Sequence, residues 1–139
     1  MKNIIYTCFL VLVTLSSCKQ NELIDSKEGI SLPQVENLSL QETLDPKKVK
    51  VTWVNPSSVS SDIQQPLSVF IEVSEIMSVT KAITVYSVTL PNAPSEFVYE
   101  IPNVTKKYNL TVKVMGMRKT ADPNYSNRIY SLGQTVSIN

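Results

Sequence analysis

Histidine is absent from this 139-residue chain, and only two cysteines and three glycines occur in it. The commonest general base at neutral pH and the commonest metal-ligating side chain are therefore missing. Two cysteines cannot build a four-thiolate site or a multi-bridge framework. An excess of charge of one sign is missing too, because 13 Lys and Arg stand against 12 Asp and Glu. No global field draws the chain to nucleic acid or to an anionic surface. The long apolar run needed to cross a bilayer is likewise lacking. The stretch 4–15 falls short of the roughly 20 residues a spanning helix requires.

Carboxylates are what remains for catalysis, and they are scattered. Glu96 and Glu100 share a strand face, but four strand residues separate their Cα atoms by about 13 Å, which is wide for a glycosidase pair. Glu72 and Glu75 fall on opposite faces. Asp62 and Asp122 lie in loops without the dense Asp, Asn and Gly neighbours of a calcium cage. No metal, cofactor or enzymatic activity is expected.

The N-terminus carries Lys2, then an almost uninterrupted apolar run from Ile4, ending in Leu15-Ser16-Ser17-Cys18. A short positive region followed by about a dozen apolar residues has the form of an export signal. Small residues just before a cysteine resemble the lipobox of bacterial lipoproteins. The resemblance implies that residues 1–17 are removed as a signal peptide and that Cys18 becomes the lipidated N-terminus. Two or three acyl chains, at about 0.8 kcal/mol per buried methylene, would hold it to the membrane. With Lys2 removed, the charges of the mature chain balance.

Residues 18–32 are polar and without sustained period, and read as a flexible tether. From Pro33 to residue 139 the apolar period becomes two, in seven short runs rich in Val, Ile, Thr, Tyr and Phe, divided by Pro, Asn and Ser. The first, 34–40, changes parity between Val35 and Leu38, which predicts a bulge. The second, 48–54, sets Val49, Val51 and Trp53 against Lys48, Lys50 and Thr52. The third, 67–74, aligns Leu67, Val69, Ile71 and Val73. In the fourth, 82–90, Ile83 and Val85 compete with Tyr86 and Val88 for the inner face. The fifth, 96–101, and the sixth, 107–117, are expected to be hairpin neighbours. In the last, 128–138, Gly133 predicts a bend that lets the strand change face. The expected fold class is all-β, a seven-stranded antiparallel β-sandwich.

Val49-x-Val51-x-Trp53 on the second run, Tyr108-x-Leu110-x-Val112-x-Val114 on the sixth, and Ser126 before the last together resemble the fibronectin type III fold, an immunoglobulin-like sandwich. The resemblance implies that Trp53 is core and that the hydroxyl of Tyr108 bonds to backbone upstream. Pro102 stands where that family has a leucine, so a shorter corner is expected. A lipid-anchored module of this kind is similar to domains of outer-membrane lipoproteins of glycan-uptake systems.

Loops at the end of a sandwich are where such a scaffold recognises ligands. Between the sixth and seventh runs, Arg118, Asn124, Tyr125, Asn127 and Arg128 form the candidate loop for a glycan or partner protein, Tyr125 by stacking and the others by hydrogen bonds. The alternative is that Tyr125 packs on its own sheet edge. The serine-rich connection 55–66 reads as a mobile loop. Phe70 has the parity of an outward residue and is the candidate exposed aromatic. Tyr86, Tyr99, Tyr125 and Tyr130 are the other members of a candidate platform, with cross-strand pairing as the plainer explanation. Lys106, Lys107, Lys113, Arg118, Lys119 and Arg128 make a basic stripe, read as protection against edge pairing.

These observations lead to the expectation of a non-catalytic binding or spacer module, lipid-anchored in the cell envelope, at the outer membrane or on the periplasmic side of the inner membrane. A structural subunit that pairs through an exposed edge strand is the alternative. The sequence identifies no oligomeric state and no nucleic-acid partner.

Overall fold

A computed structural model describes residues 31–121, 123 and 126–139, and every described regular element is a strand. In chain order they are β1 (Glu36–Glu42), β2 (Lys48–Val54), β3 (Ser68–Ser78), β4 (Lys81–Leu90), β5 (Glu96–Glu100), β6 (Tyr108–Met117), β7 (Arg128–Tyr130) and β8 (Gln134–Ile138). One sheet has the order β1-β2-β5, and the other runs β4-β3-β6, with β7 and β8 both paired to β6. All pairings are antiparallel. The chain crosses between sheets from β2 to β3 and from β4 to β5 to β6. This is the immunoglobulin-like sandwich of fibronectin type III domains. The expected seven strand positions are filled by eight segments because the last strand is split.

Alternation drives the layering. Val49, Val51 and Trp53 of β2 face Val69, Ile71 and Val73 of β3 and Leu110, Val112 and Val114 of β6, and all are buried. Trp53 lies in the core as the resemblance implies, and its indole N–H donates to Asn55 Oδ1 at 3.2 Å. Asn55 Nδ2 in turn donates to the carbonyls of Ala93 and Pro94, which ties the end of β2 to the β4–β5 turn. The Tyr108 hydroxyl donates to the Asn103 carbonyl five residues upstream at 3.3 Å, so the corner forms despite Pro102.

Two predicted irregularities are present. The β1–β2 register shifts between Glu36 and Ser39, with Asn37 at φ 52°, a conformation that asparagine tolerates better than most residues. At the other end of the chain the strand breaks at residues 131–133. Before the break Ile129 and Ser131 face inward; after it Gln134, Val136 and Ile138 lie opposite Val112, Leu110 and Tyr108. Gly133 permits this, because a Cβ there would come within 2.5 Å of Thr111 Cγ2. Inside the break Ser131 replaces the missing ladder. Its N–H donates to the Val114 carbonyl, its Oγ accepts from the Val114 N–H at 2.9 Å, and its hydroxyl donates to the Leu132 carbonyl.

Three expectations are corrected. β5 and β6 are not hairpin neighbours: β5 pairs with β2 and β6 with β3, in opposite sheets. Alternation fixes which face a residue takes but not which strand lies beside it. Leu32, assigned to the tether, is 5% exposed and packs in the core, so the folded body includes it. The connection 55–66 is anchored rather than mobile. Ile63, 1% exposed, enters the core, bridges to Arg118, and is flanked by hydrogen bonds from Gln64 N to Met117 O and from Lys119 N to Asp62 O. Gly116 makes room for it, since a Cβ there would lie 2.7 Å from Ile63 Cγ2.

The competing parities of the fourth run are both correct. The β3–β4 register shifts between Val73 and Ser74, so Tyr86, Val88 and Leu90 lie opposite Val73, Ile71 and Val69, while Ile83 lies opposite Glu75. Val85 is the extra residue at which inner and outer faces exchange.

Candidate functional site

The β6–β7 loop does not gather its candidates into one cluster. Cys18, Asn124 and Tyr125 lie outside the described residues. Met117 and Arg128 are opposite each other in the ladder and share a face. Arg118, the next residue along, takes the other parity and bridges to the buried Ile63. The register thus directs the two arginines to opposite sides of the sheet. The Arg118 backbone is held on both sides, its N–H donating to Asn127 O and its carbonyl accepting from Gln64 Nε2. Asn127 and Arg128 are exposed, and the Arg128 N–H donates to Ser126 Oγ.

The aromatic candidates divide into two groups. Phe70 is outward and half-buried, with its ring edge-on to Tyr130 at a centroid distance of 5.7 Å, and cross-strand neighbours Lys113 and Thr89. It belongs to a pair rather than to a broad platform. Tyr86 lies elsewhere, on the side where β4 and β5 are the edges of their respective sheets. Its ring stacks on Phe97 at 6.1 Å and tilts against Tyr99 at 5.6 Å.

That side is open for a structural reason. Among the described residues the three-stranded sheet provides no strand opposite β4, and the inner residues of β4 have only the edge of β5 to cover them. Tyr86, Ile83 and Val85 remain exposed although the register turns Tyr86 and Ile83 inward. A groove of about 300 Å³ results, lined by Val85, Tyr86, Phe97, Val98, Tyr99 and Glu100. Tyr99 is 4% exposed, and its hydroxyl is buried with no hydrogen-bond partner among the described residues. Burial, helped by the nearby Tyr108 and Tyr86, pushes the Tyr99 phenol above its ordinary value of 10.0. Glu100 forms no ion pair among the described residues, whereas Glu96 on the same strand is held by Lys50 at 2.7 Å. Tyr86 and Tyr99 are legible as aromatics in the sequence. That Phe97, Val85 and Glu100 join them at one groove is not legible, because it depends on which two strands end up at the same edge.

The basic stripe is broken up as well. Lys106 Nζ reaches the buried Glu75 at 2.7 Å, and that hydrogen bond and charge raise the lysine above its ordinary value of 10.5. Among the described residues no group of three or more Cys, Asp or Glu is close enough to hold a metal ion.

Comparison with known proteins gives a family and two fold likenesses. The family described as Domain of unknown function (DUF4945) matches residues 18–138. The chain is similar to the fibronectin type III domain of the human collagen alpha-1(XX) chain, at 18% identity and a TM-score of 0.47, covering 80% of this chain and 89% of that one. It is similar also to a structure titled as the fourth FNIII domain of a human protein, at 18% identity and a TM-score of 0.46, covering 86% and 90%. No curated protein matches it.

Proposed function

The chain belongs to the DUF4945 family, and we propose that it is a non-catalytic binding or spacer module, lipid-anchored through Cys18 in the cell envelope, at the outer membrane. The observation that carries this reading is Leu15-Ser16-Ser17-Cys18 at the end of a short apolar run. The family match supports it by starting at residue 18, the position the lipobox reading makes the mature N-terminus. On this reading residues 18–31 are the tether, and the sandwich from Leu32 is the displayed part.

Replacing Cys18 by Ala tests the anchor. The wild-type chain is expected in the detergent-extracted membrane fraction and the variant in the soluble fraction; the same partition for both refutes it. For the module itself, the β6–β7 loop can still contact a glycan through its exposed Asn127 and Arg128, joined by Asn124 and Tyr125. A double variant Tyr125→Ala and Arg128→Ala that binds a glycan array as the wild type does would end the loop reading.

A second reading has its own observation in favour. β4 is ten residues long, pairs only with β3 among the described residues, and carries no charge from Ala82 to Leu90. Edge strands usually carry a charge or a proline to prevent further pairing. The bulge at Val85 is its one guard, and the uncharged stretches on either side of it favour a structural role in which β4 pairs with another chain.

A further inference from the structure

Three features converge on the open side of the sandwich. The first is the free edge of β4, whose alternate backbone N–H and C=O groups point away from β3. Other sheet edges carry charges, Glu36 and Glu42 on β1, Glu96 and Glu100 on β5, and Arg128 on β7, whereas the edge strand β8 carries none but has five residues against the ten of β4. β4 has only Lys81, at its first position. The second is the adjoining groove of about 300 Å³ between Val85 and Tyr86 on one side and Phe97 to Glu100 on the other. The third is the Tyr99 hydroxyl, buried there without a partner among the described residues. A buried hydroxyl costs free energy until a partner reaches it.

We infer that this side accepts an extended polypeptide segment as an added strand on β4, with an apolar side chain in the Tyr86–Phe97 groove and a basic side chain opposite Glu100. The inference deepens the edge-pairing reading by naming the partner's chemistry, and it does not depend on lipidation of Cys18.

The chemistry of the groove selects a polypeptide over a sugar. Its walls are apolar except for the Tyr86 and Tyr99 hydroxyls and the Glu100 carboxylate, too few to pair most hydroxyls of a saccharide. An added strand brings its own N–H and C=O groups, which the β4 edge matches on either side of the Val85 bulge, and needs pockets only for alternate side chains. Charge argues against a second copy of this chain. Glu100 lies opposite Lys48 at the end of the sandwich where β4 begins with Lys81. Antiparallel pairing of two β4 edges would set each Lys81 beside the other copy's Leu90, at the far end from that copy's Glu100. A segment with its own basic residue supplies what self-pairing does not.

The test uses the full-length chain in detergent and two ten-residue probe peptides of alternating Val and Thr around a central Tyr, one ending in Arg and the other in Glu. Affinity is read by titration and location by amide hydrogen exchange. The Arg peptide is expected to slow exchange across residues 81–90 and to bind about fivefold more tightly than the Glu peptide, the size of a partly exposed charge pair. Glu100→Gln should erase that preference. Tyr99→Phe should weaken binding about fivefold, as expected for one lost hydrogen bond, while the free chain stays folded. Equal affinity of the two peptides, protection confined to residues 118–128, or no binding overturns the inference. Self-association of the chain that protects β4 without any peptide overturns it too, and makes a second copy the occupant. Because fractionation of Cys18→Ala reports on the anchor alone, failure there and failure here remain distinguishable.

Discussion

Replacing Ile63 by Ala probes how the long β2–β3 connection is fixed. Ile63 is fully enclosed, with Cγ2 pressed against the site where Gly116 has no side chain. Truncating a buried Ile to Ala costs about 2–5 kcal/mol, lost transfer energy plus cavity. For a domain of this size that lowers the melting temperature by roughly 10–20 °C. Gly116→Ala alone places a methyl 2.7 Å from Ile63 Cγ2 and 3.2 Å from Leu32 Cδ1, an overpacking worth about 1–3 kcal/mol. In the double variant the first clash is gone because Cγ2 is gone, and the methyl fills part of the new cavity. The double variant should therefore be less destabilised than the sum of the two by at least about 1 kcal/mol. Urea denaturation monitored by Trp53, the only tryptophan, measures all three. Additivity within about 0.5 kcal/mol refutes the packing argument, and so does a cost of Ile63→Ala below about 0.5 kcal/mol, the value for a residue in a solvated loop.

Tyr99→Phe removes a buried hydroxyl that has no partner among the described residues, and should stabilise the free chain by about 1 kcal/mol in the same titration; a clear loss would mean that the hydroxyl is satisfied. The wild-type chain should lose stability as pH rises above about 10, because unfolded tyrosine ionises near 10.0 while Tyr99 holds its proton to higher pH. Tyr99→Phe should flatten that loss. Lys106 acts in the same window: its raised value means that the attraction to Glu75 is fully present below 10.5 and disappears as pH climbs through the folded-state value. Glu75→Gln should therefore lower stability at neutral pH and shrink the alkaline decline, read from melting temperatures between pH 7 and 12. Ser131→Ala strands the Val114 N–H in the core and should cost about 1–3 kcal/mol, with faster exchange at that amide.

What the sequence revealed is what depends on one strand at a time. Val49, Val51 and Trp53 face the core because the alternation is clean, and Gly133 marks the face change because only a residue without Cβ fits against Thr111. What it concealed depends on partners distant in the chain. Phe97 and Tyr86 meet because β5 ends one sheet and β4 ends the other, and no local pattern specifies that. Ile63 illustrates the same limit. A single apolar residue among serines and prolines has no period, yet its burial anchors the whole connection. Arg118 and Arg128 look like one recognition surface in a linear loop, but the ladder through Met117 sends them to opposite faces.

The central claim is that this sandwich is held at a membrane by lipid on Cys18, and intact-mass measurement on protein purified from its native envelope tests it most directly. The account predicts a chain that begins at Cys18 and carries the added mass of a diacylglyceryl group and an N-acyl chain. A chain with an unmodified thiol at residue 18 would contradict it.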